Sequence, residues 1–138
     1  MSYIDIKETE KTPRVLMDAN KKVFEMEGNS RPENVREFYL PITEKIDEYF
    51  EKIINEQTDL QSYNEEPFSF NFKLGYFNSS TAKYISDILM DISDFSQKGI
   101  EIKIYWFFDK NDEDMREAGE DFAEMVTIPF NYIMVDKN

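Results

Sequence analysis

Residues 68–81 of the chain read FSFNFKLGYFNSST. Phe and Leu alternate with polar residues over the first seven positions, a period of two that predicts a β-strand with one strongly apolar face. Asn78 and the three hydroxyl residues after it are typical of a helix N-terminus. Apolar residues spaced three and four apart, from Ile85 to Phe95, then predict an amphipathic helix, which Gly99 is placed to end in a left-handed conformation.

The period-two pattern recurs elsewhere in the chain. Alternating apolar residues predict a further strand over residues 100–108, and the largely apolar run 130–135 after Pro129 is predicted as a final strand. A hairpin is predicted over residues 14–26, where two β-compatible runs flank a short polar turn. The polar segment 57–67 is too short to separate two domains, and we expect it to be a mobile loop.

Helical spacing predicts two more helices. One covers about residues 32–55, with Ser30 and Glu33 as a capping box at its start, and Asp112 is predicted to cap the other. The order β-β-α-β-α-β-α-β predicts an α/β fold with a mixed, mostly parallel sheet. Because the central strands alternate instead of being continuously apolar, we expect helices mainly on one face of that sheet. We expect a single domain over residues 1–138.

The composition removes many kinds of chemistry. The 138 residues include no Cys and no His, which excludes cysteine nucleophiles, Ser-His-Asp catalysis and metal sites built from these residues. The formal net charge of -13 disfavours binding to nucleic acid and anionic membranes, and favours partners with basic patches. No apolar run could span a bilayer and the N-terminus has no signal-peptide pattern, so we expect no membrane insertion and a cytoplasmic location.

The junction Asn78-Ser79-Ser80-Thr81 is the strongest candidate for a functional site. The first turn of a helix offers free backbone N–H groups and a partial positive charge, so it tolerates a phosphorylated hydroxyl. Plain helix capping is the alternative interpretation. The acidic run 109–114 does not form a calcium loop, because Asp114 stands where that loop needs glycine. The glycines form no nucleotide-binding pattern, and we predict no metal and no cofactor.

Several separated segments together match one protein family. They are Thr12-Pro13, Gly28-Asn29-Ser30-Arg31-Pro32-Glu33-Asn34, Tyr76-Phe77-Asn78-Ser79-Ser80-Thr81-Ala82-Lys83, Asp87-Ile88-Leu89, Trp106-Phe107-Phe108-Asp109 and Pro129-Phe130. In this order and spacing, the chain resembles the SiaC-type regulatory phosphoproteins of bacteria. That resemblance implies a STAS-like fold, akin to that of anti-sigma-factor antagonists.

The resemblance also implies a non-enzymatic signalling switch. In the family, a Ser/Thr protein kinase phosphorylates one hydroxyl at the start of the second predicted helix, and a PP2C-type phosphatase removes the phosphate. The unmodified form binds and activates a diguanylate cyclase in cyclic-di-GMP and biofilm signalling. The acceptor maps to Ser79, where the compared member has threonine, and Ser80 and Thr81 are the alternatives. The implied partner-binding residues are Asn78, Ser79, Ser80, Thr81, Ser30, Glu33 and Asn34.

Two other functions stay open on the sequence. A small-molecule- or lipid-binding domain would use the sheet face that the helices leave uncovered, with Tyr105 and Phe107 among its lining residues. A carboxylate-based hydrolase would need two acidic groups in one pocket, one with a raised pKa, and the sequence reveals no such pair. The uncovered face also leaves room for a homodimer.

Overall fold

Strands and helices alternate over most of the chain, as the sequence pattern predicts. The structure is a computed structural model that describes residues 2–136, so Met1, Lys137 and Asn138 of the predicted domain lie outside it. The elements within this range are β1 (Ser2–Ile6), β2 (Arg14–Asp18), β3 (Val23–Ser30), α1 (Val35–Glu56), α2 (Leu60–Tyr63), β4 (Phe68–Phe77), α3 (Ser79–Gln97), β5 (Ile102–Asp109), α4 (Glu113–Ala123) and β6 (Phe130–Val135).

The strands form one mixed sheet in the order β1-β2-β3-β4-β5-β6. The first three are antiparallel, and β3 to β6 are mutually parallel. Right-handed crossovers that each step to the next strand place their helices on the same face of the sheet. Burial along β4 agrees: Phe70 and Phe72 are fully buried, whereas Asn71 and Lys73 on the opposite face are only partly buried. The predicted α/β fold, with a mixed sheet and helices on one face, is therefore confirmed.

Aromatic side chains fill the space between the sheet and the helices. The rings of Phe24 and Phe70 stack with centroids 4.9 Å apart, and Phe50 of α1 meets Phe68 edge-on at 5.1 Å. Trp106 of β5 packs on Phe122 of α4 at 5.6 Å. Burying each such ring contributes about 1.5–3 kcal/mol, so the apolar face of the sheet fixes where α1, α3 and α4 lie.

The start of α1 differs from the prediction. Ser30 does not cap the helix, because β3 continues to Ser30 and pairs it with Phe77 of β4. Instead, Asn34 is the N-cap, and its side chain accepts a hydrogen bond from the Glu37 N–H at 3.1 Å. The predicted capping box is wrong because long-range strand pairing extends β3 as far as Ser30, the residue that the local sequence marks as a helix cap.

The segment predicted as a mobile loop is tied to the rest of the protein. It contains the short helix α2, and the Lys22 ammonium donates to the backbone carbonyls of Tyr63 and Glu66. Asn64 donates to the Gly99 carbonyl at 2.7 Å and accepts from the Glu101 N–H at 3.0 Å. The segment is therefore not a structureless loop, since polar residues that suggest solvent exposure here bond to neighbouring backbone; its mobility stays a prediction.

Candidate functional site

The candidate site is built at the junction between β4 and α3. The backbone N–H of Asn78 donates to the Ser30 carbonyl at 3.1 Å, which continues the pairing of β3 with β4. The Asn78 side chain then turns to accept from the Thr81 N–H at 2.9 Å and caps α3. The predicted cap is confirmed, and it places residues 79–81 in the first turn of the helix.

The three hydroxyl groups of this turn have different surroundings. Ser79 and Ser80 are exposed, and the Ser80 hydroxyl donates to Asn78 Oδ1 at 3.0 Å. Thr81 is fully buried, with 0% of its surface exposed. Its hydroxyl lies 2.9 Å from Ser30 Oγ and 3.3 Å from the Ser30 carbonyl oxygen. A modifying enzyme can therefore reach Ser79 and Ser80 in the folded protein, but not Thr81.

Beneath the junction lies a buried network of three hydroxyl groups, Ser30, Tyr39 and Thr81. Ser30 Oγ shares hydrogen bonds with the Tyr39 hydroxyl at 2.6 Å and with Thr81 Oγ1 at 2.9 Å. Burial raises the pKa of Tyr39 to about 12, although its hydrogen bonds to Ser30 and Thr81 act in the opposite direction. The network links β3, α1 and α3, so it holds the first turn of α3 in place. Tyr39 was not among the predicted site residues, since its apolar spacing marks it only as core.

The remaining predicted partner residues lie near the start of α1. Glu33 is exposed and pairs with the Lys11 ammonium at 2.9 Å, and this contact lowers the pKa of Glu33. Asn34 is also exposed, whereas Ser30 is fully buried. Ser30 and Thr81 can support a binding surface from below, but they do not contact solvent and so offer no surface to a partner.

Tyr76 is an exposed aromatic residue beside the candidate site. It lies near the end of β4, and 51% of its surface is accessible. Together with Gly75 and Phe77 it borders a groove of about 290 Å³, across which lie Asp112 and Asp114 at the start of α4. Sequence reasoning missed Tyr76 as a surface residue; the signal available was that the period-two alternation of β4 breaks at Gly75.

Residues 2–136 contain neither an acidic cluster suited to a metal ion nor a helix suited to crossing a membrane. No group of three or more Asp or Glu side chains in this range is placed to hold a metal ion. None of the helices there is both long enough and apolar enough to cross a membrane.

A sequence model of the SiaC family, described as SiaC family regulatory phosphoprotein, matches residues 6–135. The chain belongs to the SiaC family. The resemblance inferred from the sequence segments is therefore confirmed.

Solved structures of SiaC from Pseudomonas aeruginosa share the fold of this SiaC family member. SiaC in the crystal structure of the diguanylate cyclase SiaD with its activator SiaC is 25% identical, with a TM-score of 0.79 over 96% of this chain and 99% of that one. Apo-SiaC is 24% identical, with a TM-score of 0.78 over 96% and 98% of the two chains. An uncharacterized protein of the same species is 26% identical over 130 residues, 94% of each chain.

These comparisons confirm the predicted family, whereas the finer details of the predicted function stay predictions. They confirm a bacterial regulatory phosphoprotein family, and they confirm that one SiaC protein has a diguanylate cyclase as its partner. The STAS-like relationship, the phosphorylated residue, the kinase, the phosphatase and the homodimer stay predictions.

Proposed function

We propose that this SiaC family member is a non-enzymatic binding protein controlled by phosphorylation of Ser79. In its unmodified form it binds a diguanylate cyclase, and phosphorylation of Ser79 prevents that binding. The observation that carries the proposal is the contrast within one helical turn: Ser79 is exposed, while Thr81 is fully buried and hydrogen-bonded to Ser30. Of the three candidate acceptors, Thr81 is thus excluded by access.

The choice between the two exposed serines rests on their hydrogen bonds. The Ser80 hydroxyl donates to Asn78 Oδ1, the same atom that caps α3 through the Thr81 N–H. A phosphate on Ser80 would remove that donor and bring negative charge beside the capping oxygen. Ser79 occupies the first position of α3, where a phosphate meets the partial positive charge of the helix N-terminus. Ser79 therefore accepts the group at a lower cost to the fold.

Phosphorylation would act on binding mainly through charge. A phosphoserine adds about 1.5 to 2 negative charges at pH 7 to a chain whose formal net charge is already -13. At an interface the group must also lose its hydration, and like charges placed together cost several kcal/mol. Since each ~1.4 kcal/mol changes affinity tenfold, the loss of binding needs no refolding of the SiaC-type domain.

The proposal assigns three classes of partner in the bacterial cytoplasm. A Ser/Thr protein kinase adds the phosphate, a PP2C-type phosphatase removes it, and a diguanylate cyclase is the effector. Support for the effector comes from the family membership and from the solved complex of SiaD with its activator SiaC.

The test combines phosphosite mapping with binding. Protein recovered from its native cells should carry phosphate on Ser79, read by mass spectrometry. Affinity for the diguanylate cyclase of the same organism should fall at least tenfold when Ser79 is phosphorylated. Ser79→Ala should bind before and after kinase treatment, whereas Ser80→Ala, the matched control, should switch like the wild type. Equal affinity of the phosphorylated and unmodified proteins would refute the proposal.

A second candidate function, binding of a small molecule, is favoured by a cavity at the open face of the sheet. The cavity measures about 260 Å³, and Lys73, Leu74, Phe107 and Val135 are among its lining residues. The Lys73 ammonium lies 4.9 Å from the centre of the Phe107 ring. Native mass spectrometry of protein purified from its own cells tests this candidate. A mass above that of the polypeptide would show a retained ligand and support small-molecule binding. The mass of the polypeptide alone would contradict it.

A further inference from the structure

The outer surfaces of α1 and α3 meet along an acidic groove of about 390 Å³. Asp47 of α1 and Asp91 of α3 both line it, and their carboxyl groups are close enough for Asp47 to act on Asp91 both as a like charge and as a potential hydrogen-bond partner. One oxygen of Asp47, Oδ1, is buried and has no hydrogen-bond partner among the described residues, so it lacks a donor. Two carboxylates this close cannot both carry a full negative charge at little cost, so the contact calls for a proton between them.

The other charged groups around the pair make ionisation harder. Two further acidic side chains, Glu51 of α1 and Asp94 of α3, lie beside the pair and add negative charge there. Asp87 also lines the groove, but it pairs with Lys83 at 3.6 Å, so that cation is already engaged. The pKa of Asp91 is raised to about 8, first by burial, then by the hydrogen bond and charge of Asp47, and then by Asp94 and Glu51.

The groove is better suited to proton binding than to catalysis on a bound substrate. It is open to solvent along its length, and its lining offers only two neutral hydroxyl side chains, Thr43 and Tyr84, to stabilise charge that develops on a substrate. The pair is also distant from the proposed phosphorylation site, since Asp91 lies twelve residues, or about 18 Å, along α3 from Ser79. The pair therefore needs a role of its own, separate from the phosphorylation switch.

We propose that Asp47 and Asp91 form a proton-binding site that holds α1 against α3 and makes this helix contact sensitive to pH in the neutral to mildly alkaline range. With one proton shared, the carboxyl groups link the two helices. When that proton is lost, two negative charges oppose each other across the same contact. The proposal does not depend on phosphorylation of Ser79, so either can fail without the other.

Carboxyl NMR on the intact protein tests the site directly. With ¹³C-labelled aspartate, the side-chain carboxyl signal of Asp91 should titrate with a midpoint near pH 8, well above the usual aspartate range. In Asp91→Asn this titration should disappear, because the amide keeps a hydrogen-bond donor opposite Asp47 at every pH. Asp121→Asn, which removes an exposed carboxyl from α4, should retain it.

Stability against pH gives the second measurement. The raised pKa in the folded state means that the folded protein holds its proton longer than the unfolded chain does. The urea midpoint of wild type and of Asp121→Asn should therefore fall as pH rises from 6 to 9, while that of Asp91→Asn should fall much less. If no aspartate carboxyl of the wild-type protein titrates above pH 6, the proposal is wrong, whether or not the variants fold.

Discussion

Thr81 Oγ1 lies 2.9 Å from Ser30 Oγ in the protein interior, although the two residues are 51 positions apart in the sequence. The contact joins the first turn of α3 to the last residue of β3, and Tyr39 extends it to α1 at 2.6 Å. Three elements thus fix the turn that presents Ser79 and Ser80 to solvent. These contacts hold the exposed hydroxyls of Ser79 and Ser80 in a defined position, which suits a site that a kinase, a phosphatase and an effector would all recognise.

Thr81→Val should lower the free energy of unfolding by about 1–2 kcal/mol. Valine keeps the shape of threonine but removes the hydroxyl, which leaves Ser30 Oγ with one hydrogen bond fewer in a buried place. Urea denaturation measures the change. Ser80→Ala serves as the control and should stay within about 0.5 kcal/mol of the wild type, because Ser80 is exposed. Equal stability of the two variants would mean that the buried contact contributes nothing.

Local sequence signals predicted much of the fold because they depend on neighbouring residues alone. Asn78 and Asp112 cap their helices as expected, each accepting from the backbone N–H three residues later. Gly99 follows α3 with a φ of 111°, in the left-handed region. The last strand has its predicted bounds, Phe130–Val135. In each case a single residue or a short period decides the structure.

The structural features that the sequence did not predict depend on contacts between distant segments. The local sequence predicts Ser30 as a helix cap because it does not reveal that Ser30 pairs with Phe77 of β4. Strand β1 is a five-residue edge strand whose pairing with β2 has an irregular register, too weak a pattern to predict. Asp47 and Asp91 lie on different helices, and no spacing within either helix reveals their contact.

The burial of Thr81 could have been predicted from the sequence. Thr81 precedes Ile85 by four residues, and Ile85 precedes Ile88 and Ile92 at helical spacing, so Thr81 lies on the apolar stripe of α3. Ser79 and Ser80 fall outside this stripe. The same period that predicted the helix would have separated the accessible serines from the buried threonine.

Asn78→Ala should lower stability by about 1 kcal/mol through loss of the N-cap. The Asn78 side chain satisfies the Thr81 N–H, which alanine cannot do. Asn78→Asp should retain the cap and be at least as stable as the wild type above pH 5, since a carboxylate accepts the same bond and its charge favours a helix N-terminus. Thermal unfolding followed by circular dichroism compares the three proteins, and a loss of equal size in both variants would contradict a capping role.

Gly119→Ala should destabilise the protein by about 1–3 kcal/mol through overpacking. Alanine normally stabilises the middle of a helix by up to ~1 kcal/mol relative to glycine. At Gly119, however, the added Cβ would lie 2.5 Å from Cδ1 of Trp106, whose ring is fixed by a hydrogen bond from Nε1 to the Met115 carbonyl. Fluorescence of Trp106, the single tryptophan, should shift in this variant. The same measurements on Glu117→Ala, on the exposed side of α4, should match the wild type.

Tyr39→Phe should change the alkaline dependence of stability. Because burial raises the pKa of Tyr39 to about 12 from a usual value near 10, its contribution is present below pH 10 and is lost as pH rises towards 12. At pH 8 the variant should be less stable by about 1 kcal/mol, for want of the hydrogen bond with Ser30. Between pH 9 and 11.5 the wild type should lose more stability than the variant, as measured by urea denaturation. A constant difference across this range would show that Tyr39 ionises as freely when folded as when unfolded.

Tyr76→Ala should weaken binding of the diguanylate cyclase about tenfold if the proposed interface surrounds Ser79. Tyr76 is exposed at the end of the strand that leads to Ser79, and tyrosine is a residue type that often dominates interface energies. The free energy of unfolding should change by less than about 0.5 kcal/mol, because Tyr76 is an exposed residue outside the buried core. Tyr132→Ala is the matched control: Tyr132 is also exposed, but it lies on the edge strand β6. Equal affinities of the two variants would place the interface elsewhere, and a loss in Tyr132→Ala alone would move it to the β6 edge of the sheet.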